Sequence, residues 1–145
     1  MVATTTALRY FHGMAETKRK GDLAEAMVMA ESLRRGYKVA IPMGEDWRFD
    51  LIVLRHGKLD RVQCKYVESN GEVIKVPCKS ASTSGVFRYT SAEVDWIAVY
   101  EGILGAFFFV SSSFLDSRYQ INLRLLPART NQSKNVLWAK DFTDW

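Results

Sequence analysis

Glu25, Asp50, Gln63 and Lys65 supply the groups that chemistry on a phosphodiester requires: two carboxylates, an amide oxygen and a primary amine. A hard divalent cation such as Mg2+ takes oxygen ligands, commonly one or two carboxylates, a carbonyl and several waters, with substrate phosphate oxygen completing the set. Asp50, the side-chain oxygen of Gln63 and the backbone carbonyl of Cys64 can provide the protein's share. A cation held there would acidify a bound water and neutralise charge on the scissile phosphate, with Lys65 beside the attacking water or the developing pentavalent phosphorus. Glu25 is expected to orient Lys65 or to hold a water of the cation, supporting the direct ligands.

Plainer readings exist for some of these residues. Gln63 and Lys65 on a half-exposed strand would ordinarily face solvent, and Glu25 would be one more charge on a helix surface. Asp50 is harder to dismiss, because Phe49 and the run Leu51-Ile52-Val53-Leu54 embed it in a strand, where aspartate is disfavoured. The chain has no Ser-His-Asp or Cys-His arrangement and no glycine-rich phosphate loop, and His12 and His56 read as tail and turn residues. Cys64 and Cys78 lack CxxC spacing and a neighbouring histidine, which argues against a zinc site and for a reducing compartment.

The elements that must position these groups follow from periodicity. Residues 17–35 predict a helix, with Leu23, Met27, Ala30 and Leu33 at helical spacing and Gly36 as its C-terminal cap. Residues 37–42, 48–55 and 60–67 predict three antiparallel strands in a meander, separated by turns at 43–46 and 56–58. On the third strand Gln63 and Lys65 project together, while Cys64 points the other way with Val62 and Tyr66. Asn70-Gly71 signals a hairpin before a strand at 73–76, and 80–85 reads as a loop. Residues 91–93 predict a helical turn, 96–100 and 107–110 are strands joined across 102–105, and 118–126 alternates polar with apolar residues ahead of a polar loop at 127–135. The pattern does not fix strand order. It describes one α+β or α/β domain over residues 1–145, with 1–16 as a tail or N-terminal extension.

A chain of 145 residues with 48% hydrophobic content is large enough for its own core. The apolar run 96–110 is broken by Glu101, Gly102 and Gly105 and falls short of the roughly 20 residues of a membrane helix. With no secretory signal apparent, a soluble cytoplasmic protein is expected. Phe107-Phe108-Phe109-Val110 reads as a core strand, whereas Trp138 and Trp145 look exposed and leave a core or an oligomer interface open. A net charge of +4 tilts toward a polyanionic partner, with basic residues at Lys18, Arg19, Lys20, Lys75, Lys79, Arg88, Arg129 and Lys134.

The order Lys20-Gly21-Asp22-Leu23-Ala24-Glu25, Gly36-Tyr37-Lys38-Val39, Phe49-Asp50-Leu51-Ile52-Val53 and Arg61-Val62-Gln63-Cys64-Lys65 resembles the PD-(D/E)XK nuclease superfamily. Within it, the sequence is similar to the group I intron-encoded homing endonucleases whose motif ends QxK, and 89–100 and 121–125 resemble that family's rear half. The resemblance implies a restriction-endonuclease-like αβββαβ core, a central mixed sheet flanked by helices. It implies cleavage of double-stranded DNA with Mg2+ or Mn2+ by a homo-oligomer, dimer or tetramer, with Glu25, Asp50, Gln63 and Lys65 as catalytic residues. The basic residues above, on the arm 75–88 and the loop 129–134 in particular, would then face the duplex. Glutamine in place of a second acid leaves the four side chains with about one net negative charge, which predicts weaker cation binding. A Holliday-junction resolvase, a restriction endonuclease and a non-catalytic DNA-binding module on the same scaffold are the competing readings.

Overall fold

A computed structural model describes residues 5–130 and 133–145, with side chains from His12 onward. The chain opens on a single long helix, α1 (Thr5–Arg34), about 45 Å in length. It begins well before the expected residue 17, so the predicted N-terminal extension is helical from Thr5, and residues 1–4 lie outside the described residues. The helix ends as anticipated: Gly36 has φ 82°, its N–H donates to Leu33 O at 2.9 Å, and Tyr37 N–H donates to Ser32 O at 3.0 Å.

The buried face of α1 differs from the expected one. Ala24, Val28 and Ser32 are buried, whereas Leu33 is 56% exposed. Small side chains let the helix approach the sheet at Val62, Cys64 and Ala98, and Glu25, next to Ala24, lines a cavity with residues of β3. Packing selects the stripe of small residues over the longer apolar one.

Ten strands follow α1 among the described residues: β1 (Lys38–Ala40), β2 (Leu51–Arg55), β3 (Lys58–Val67), β4 (Val73–Pro77), β5 (Lys79–Ser82), β6 (Gly85–Arg88), β7 (Trp96–Glu101), β8 (Ala106–Ser111), β9 (Gln120–Arg124) and β10 (Leu137–Trp138). Strands β1, β2 and β3 form the expected antiparallel meander, with Val39 opposite Val53 and Leu51 opposite Val62. The β2–β3 turn places His56 at φ 49° and Gly57 at φ 75°, the paired left-handed conformations of a tight hairpin. Strand β7 runs parallel to β3 and β8 runs antiparallel to β7, so the five-stranded sheet, ordered β1-β2-β3-β7-β8, is mixed.

The segment between β3 and β7 departs from expectation in two places. Asn70 Oδ1 accepts from the Glu72 and Val73 N–H groups at 3.0 Å, so 70–73 does turn, but β4 leaves the sheet instead of folding back on β3. It pairs with β9 in a second, three-stranded sheet, where Ile74 and Val76 are buried with Ile121 and Leu123. The predicted loop at 80–85 is a two-stranded ribbon, β5–β6, in which Lys79 is opposite Arg88 and Ser82 opposite Gly85. Strands thus occupy the β3-to-β7 crossover, and α1 is the one α-helix among the described residues.

Two cores result, one on each face of the central sheet. Phe109 belongs to the core beneath α1, and Phe108 to the core shared with β4 and β9. Trp145, exposed-looking in sequence and left open between core and oligomer interface, joins the core: it is buried and stacks on Phe109 with ring centroids 4.6 Å apart, and Trp138 is half-buried. No described helix is long and apolar enough to cross a membrane.

Candidate active site

Asp50 immediately precedes β2, and its N–H donates to Val62 O at 2.9 Å, extending the β2–β3 ladder by one residue. That register delivers its carboxylate to the start of the Gln63-Cys64-Lys65 segment. Asp50 Oδ2 accepts from the Cys64 N–H at 2.8 Å and from Gln63 Nε2 at 2.6 Å. Glu25 approaches from α1, and Glu25, Asp50, Gln63, Cys64 and Lys65 all line one cavity of about 370 Å³, together with Thr17, Lys20 and Tyr66. The four predicted residues therefore converge, drawn from a helix, a strand entrance and one strand.

The electrostatics of the cavity are those of under-compensated acids. Burial pushes the Asp50 carboxyl above its ordinary range, against the downward pull of the Cys64 N–H and the Lys65 charge. Burial raises Glu25 as well, and the nearby charges of Asp50 and Asp22 add to the shift. A cation between the two acids would offset both costs, and the oxygen donors present suit a hard divalent ion. Among the described residues no group of three or more His, Cys, Asp and Glu side chains is placed to hold a metal. Any such ion would therefore rely on the amide, the Cys64 carbonyl and water beside the carboxylates.

Two details differ from the sequence reading. Gln63 turns its NH2 group, not its oxygen, toward Asp50, and that group also donates to Cys64 O at 3.3 Å. An amide oxygen in that place would face two acceptor oxygens, so Gln63 would become a ligand only by turning over as a cation entered between them. Lys65 is not held by Glu25: its ammonium donates to Tyr89 Oη at 3.2 Å and to Lys79 O at 3.4 Å. Tyr89, which the sequence reading did not single out, is thus the side chain that bonds Lys65 in this site. Cys64 packs with Val62 and Tyr66, as anticipated, and that layer is the core beneath α1; burial raises its thiol pKa well above the ordinary value, and Cys78 is pushed up to about 11.

The basic residues fall into three groups. Lys18 is exposed on α1, whereas Arg19 pairs with Glu16 and Lys20 with Glu68, each at 2.8 Å. Lys79 and Arg88 face each other at the root of the β5–β6 ribbon, and both lie over the Tyr119 ring, at 5.8 and 4.9 Å from its centroid. Lys75 points outward from β4, Arg129 reaches Glu72 at 3.5 Å, and Lys134 is exposed beside residues 131–132, which lie outside the described residues.

The architecture has a counterpart among solved structures. A bacterial homing endonuclease, I-Ssp6803I, superposes with a TM-score of 0.63 over 81% of this chain and 83% of that one, at 24% identity, a likeness of fold. No curated protein matches the sequence. A family model described as PD-(D/E)XK endonuclease matches residues 15–145, a span that includes all four converging residues. The chain belongs to the PD-(D/E)XK endonuclease family.

Proposed function

We propose that this protein is a divalent-metal-dependent endodeoxyribonuclease that hydrolyses double-stranded DNA, acting as a site-specific homing endonuclease from a single domain. The observation that supports this most is the meeting of Glu25, Asp50, Gln63, Cys64 and Lys65 around one cavity. Asp50, the Gln63 amide oxygen and the Cys64 carbonyl would hold Mg2+ or Mn2+. When bound, that ion would supply Lewis-acid polarisation of the phosphate and water acidic enough to attack it. Lys65 would donate to a non-bridging phosphate oxygen as negative charge accumulates there. Glu25, lining the same cavity, would accept hydrogen bonds from water and orient it toward phosphorus.

One such site cuts one strand, so a double-strand break calls for at least a symmetric pair of chains, a dimer or a tetramer. Duplex DNA would lie across Lys79 and Arg88, with Lys75, Lys18, Arg19, Lys20, Arg129 and Lys134 contributing phosphate contacts. The homing role is carried over from the printed identity of the structural counterpart.

The test is incubation of the purified protein with supercoiled plasmid, a linear duplex library of randomised sequence and a four-way junction, each with Mg2+ and with EDTA. The expected result is Mg2+-dependent cleavage of duplex at a restricted set of sequences. Cleavage confined to the junction would replace the homing reading with junction resolution. Absence of Mg2+-dependent cleavage on all three would overturn the nuclease assignment.

A further inference from the structure

Tyr89 lies one residue past β6 in a polar stretch, yet it is only 4% exposed. Its ring is flanked by two cations, the Arg48 guanidinium at 4.7 Å and the Lys65 ammonium at 4.9 Å from the centroid. Its hydroxyl oxygen accepts from Lys65 Nζ at 3.2 Å, and Lys79 O accepts from the same ammonium at 3.4 Å. These two acceptors sit on the two sides of the ribbon root: Lys79 opens β5, Tyr89 follows β6, and the Tyr89 N–H closes the root on Cys78 O at 2.9 Å. The ribbon beyond the root is exposed along nearly its whole length, with Val86 53% and Phe87 46% accessible.

An ammonium has three N–H donors and no acceptor. With one donor held by the tyrosine hydroxyl and one by the Lys79 carbonyl, a single N–H is left to aim. A flexible lysine is thereby given a direction, and the direction is set by the root of a projecting ribbon. A two-stranded ribbon of this kind has the cross-section of the DNA major groove. Lys79 and Arg88 at its root bring charge complementary to phosphate.

We propose that Tyr89 is a positioning residue for the reacting amine: together with the Lys79 carbonyl it ties Lys65 to the root of the β5–β6 ribbon, so that seating the ribbon on duplex DNA also seats the amine at the phosphate. This rests on the nuclease reading above. It adds a residue outside the Glu25, Asp50, Gln63 and Lys65 set, and it makes recognition and cleavage depend on one shared piece of backbone.

The experiment uses the 145-residue chain and the variant Tyr89→Phe, which keeps the ring and its cation contacts and removes only the hydroxyl acceptor. Two quantities are measured beside thermal stability: kcat and KM for Mg2+-dependent plasmid cleavage, and the acylation rate of Lys65 by an N-hydroxysuccinimide ester, read by peptide mass spectrometry against Lys75 in the same sample. The expected result is about a tenfold fall in kcat with KM unchanged, as misplacement of a reacting group produces, and a several-fold change in Lys65 acylation relative to Lys75. Tyr100→Phe, which removes a hydroxyl elsewhere, should change neither. An unchanged Lys65 acylation ratio overturns the proposal whatever kcat does, and so does unchanged kcat in an active enzyme. If the wild-type chain cuts no DNA, the nuclease reading fails, and the acylation ratio alone decides whether Tyr89 holds the amine.

Discussion

Two hairpins meet at Lys65, one carrying it and one bonding its amine, and they are built on opposite principles. The β2–β3 pair sits inside the five-stranded sheet, with Leu51, Val53, Val62 and Cys64 buried beneath α1. The β5–β6 ribbon stands apart, paired only with itself, and none of its residues is fully buried. Removing apolar area from water stabilises the first by a term the second lacks. The carboxylates and Gln63 are consequently fixed by the core, while the Lys65 amine is tied to a piece with little stability of its own. A nuclease of the kind proposed, which would need fixed cation ligands and an adaptable grip on a long polymer, would gain from that division.

The largest effect should come from removing one proposed reacting group from either half, the core-held acid or the ribbon-tied amine. Asp50→Ala or Lys65→Ala should lower the rate of Mg2+-dependent cleavage by at least about 10²-fold, in line with loss of one preorganised electrostatic group. Duplex binding, measured by gel shift in Ca2+, should stay close to wild type. A variant with wild-type turnover would remove its residue from the site.

A milder perturbation is Gln63→Glu, which sets a second carboxylate where the amide nitrogen lies 2.6 Å from Asp50 Oδ2. In EDTA the two acids repel, and stability should drop by on the order of 1 kcal/mol; in Mg2+ the loss should be recovered, because the added acid is also a ligand. Thermal melts in both conditions check this, and a large loss of cation binding would contradict it.

The raised carboxyl of Asp50 predicts a pH effect of definite sign. A folded-state pKa above the ordinary 3.8 means that the folded protein binds this proton more tightly than the unfolded chain does. Its contribution is therefore favourable below that value and is lost as pH rises through the raised one. In EDTA, Asp50→Asn should accordingly lose less stability than wild type between pH 4 and pH 7. Parallel melting curves for the two proteins would show that the carboxylate is not desolvated.

The smallest effect belongs to the ribbon. Arg88→Ala should leave the melting temperature nearly unchanged, since its side chain is exposed, and should weaken duplex binding evenly across sequences. The slope of log K against log salt should fall in magnitude by about 1, as for loss of one phosphate contact. An unaltered slope would take Arg88 off the DNA surface.

Legibility of the sequence followed the same division. The meander and the face shared by Gln63 and Lys65 could be read because β-branched residues alternate there and the side-chain period of a strand is 2. Asp50 stood out because an acid is unwelcome within so apolar a run. The ribbon was missed because Lys79-Ser80-Ala81-Ser82 has no strand-forming residue; it exists through backbone pairing across a short turn. The destination of β4 depended on long-range packing against β9, which local Asn-Gly chemistry does not encode. The hold of Tyr89 on Lys65 spans 24 residues and appears only when the ribbon root folds over β3. The buried stripe of α1 was offset because small residues at Ala24 and Val28 allowed close approach to the sheet, an advantage that hydrophobicity alone does not rank.

Thermal unfolding of wild type and Asp50→Asn, each at neutral pH in EDTA and in Mg2+, tests most directly whether these carboxylates share one cation. Binding to the folded state alone raises stability by mass action, so Mg2+ should raise the wild-type melting temperature and leave that of Asp50→Asn unmoved. Equal shifts in both proteins, or none in either, would contradict the account.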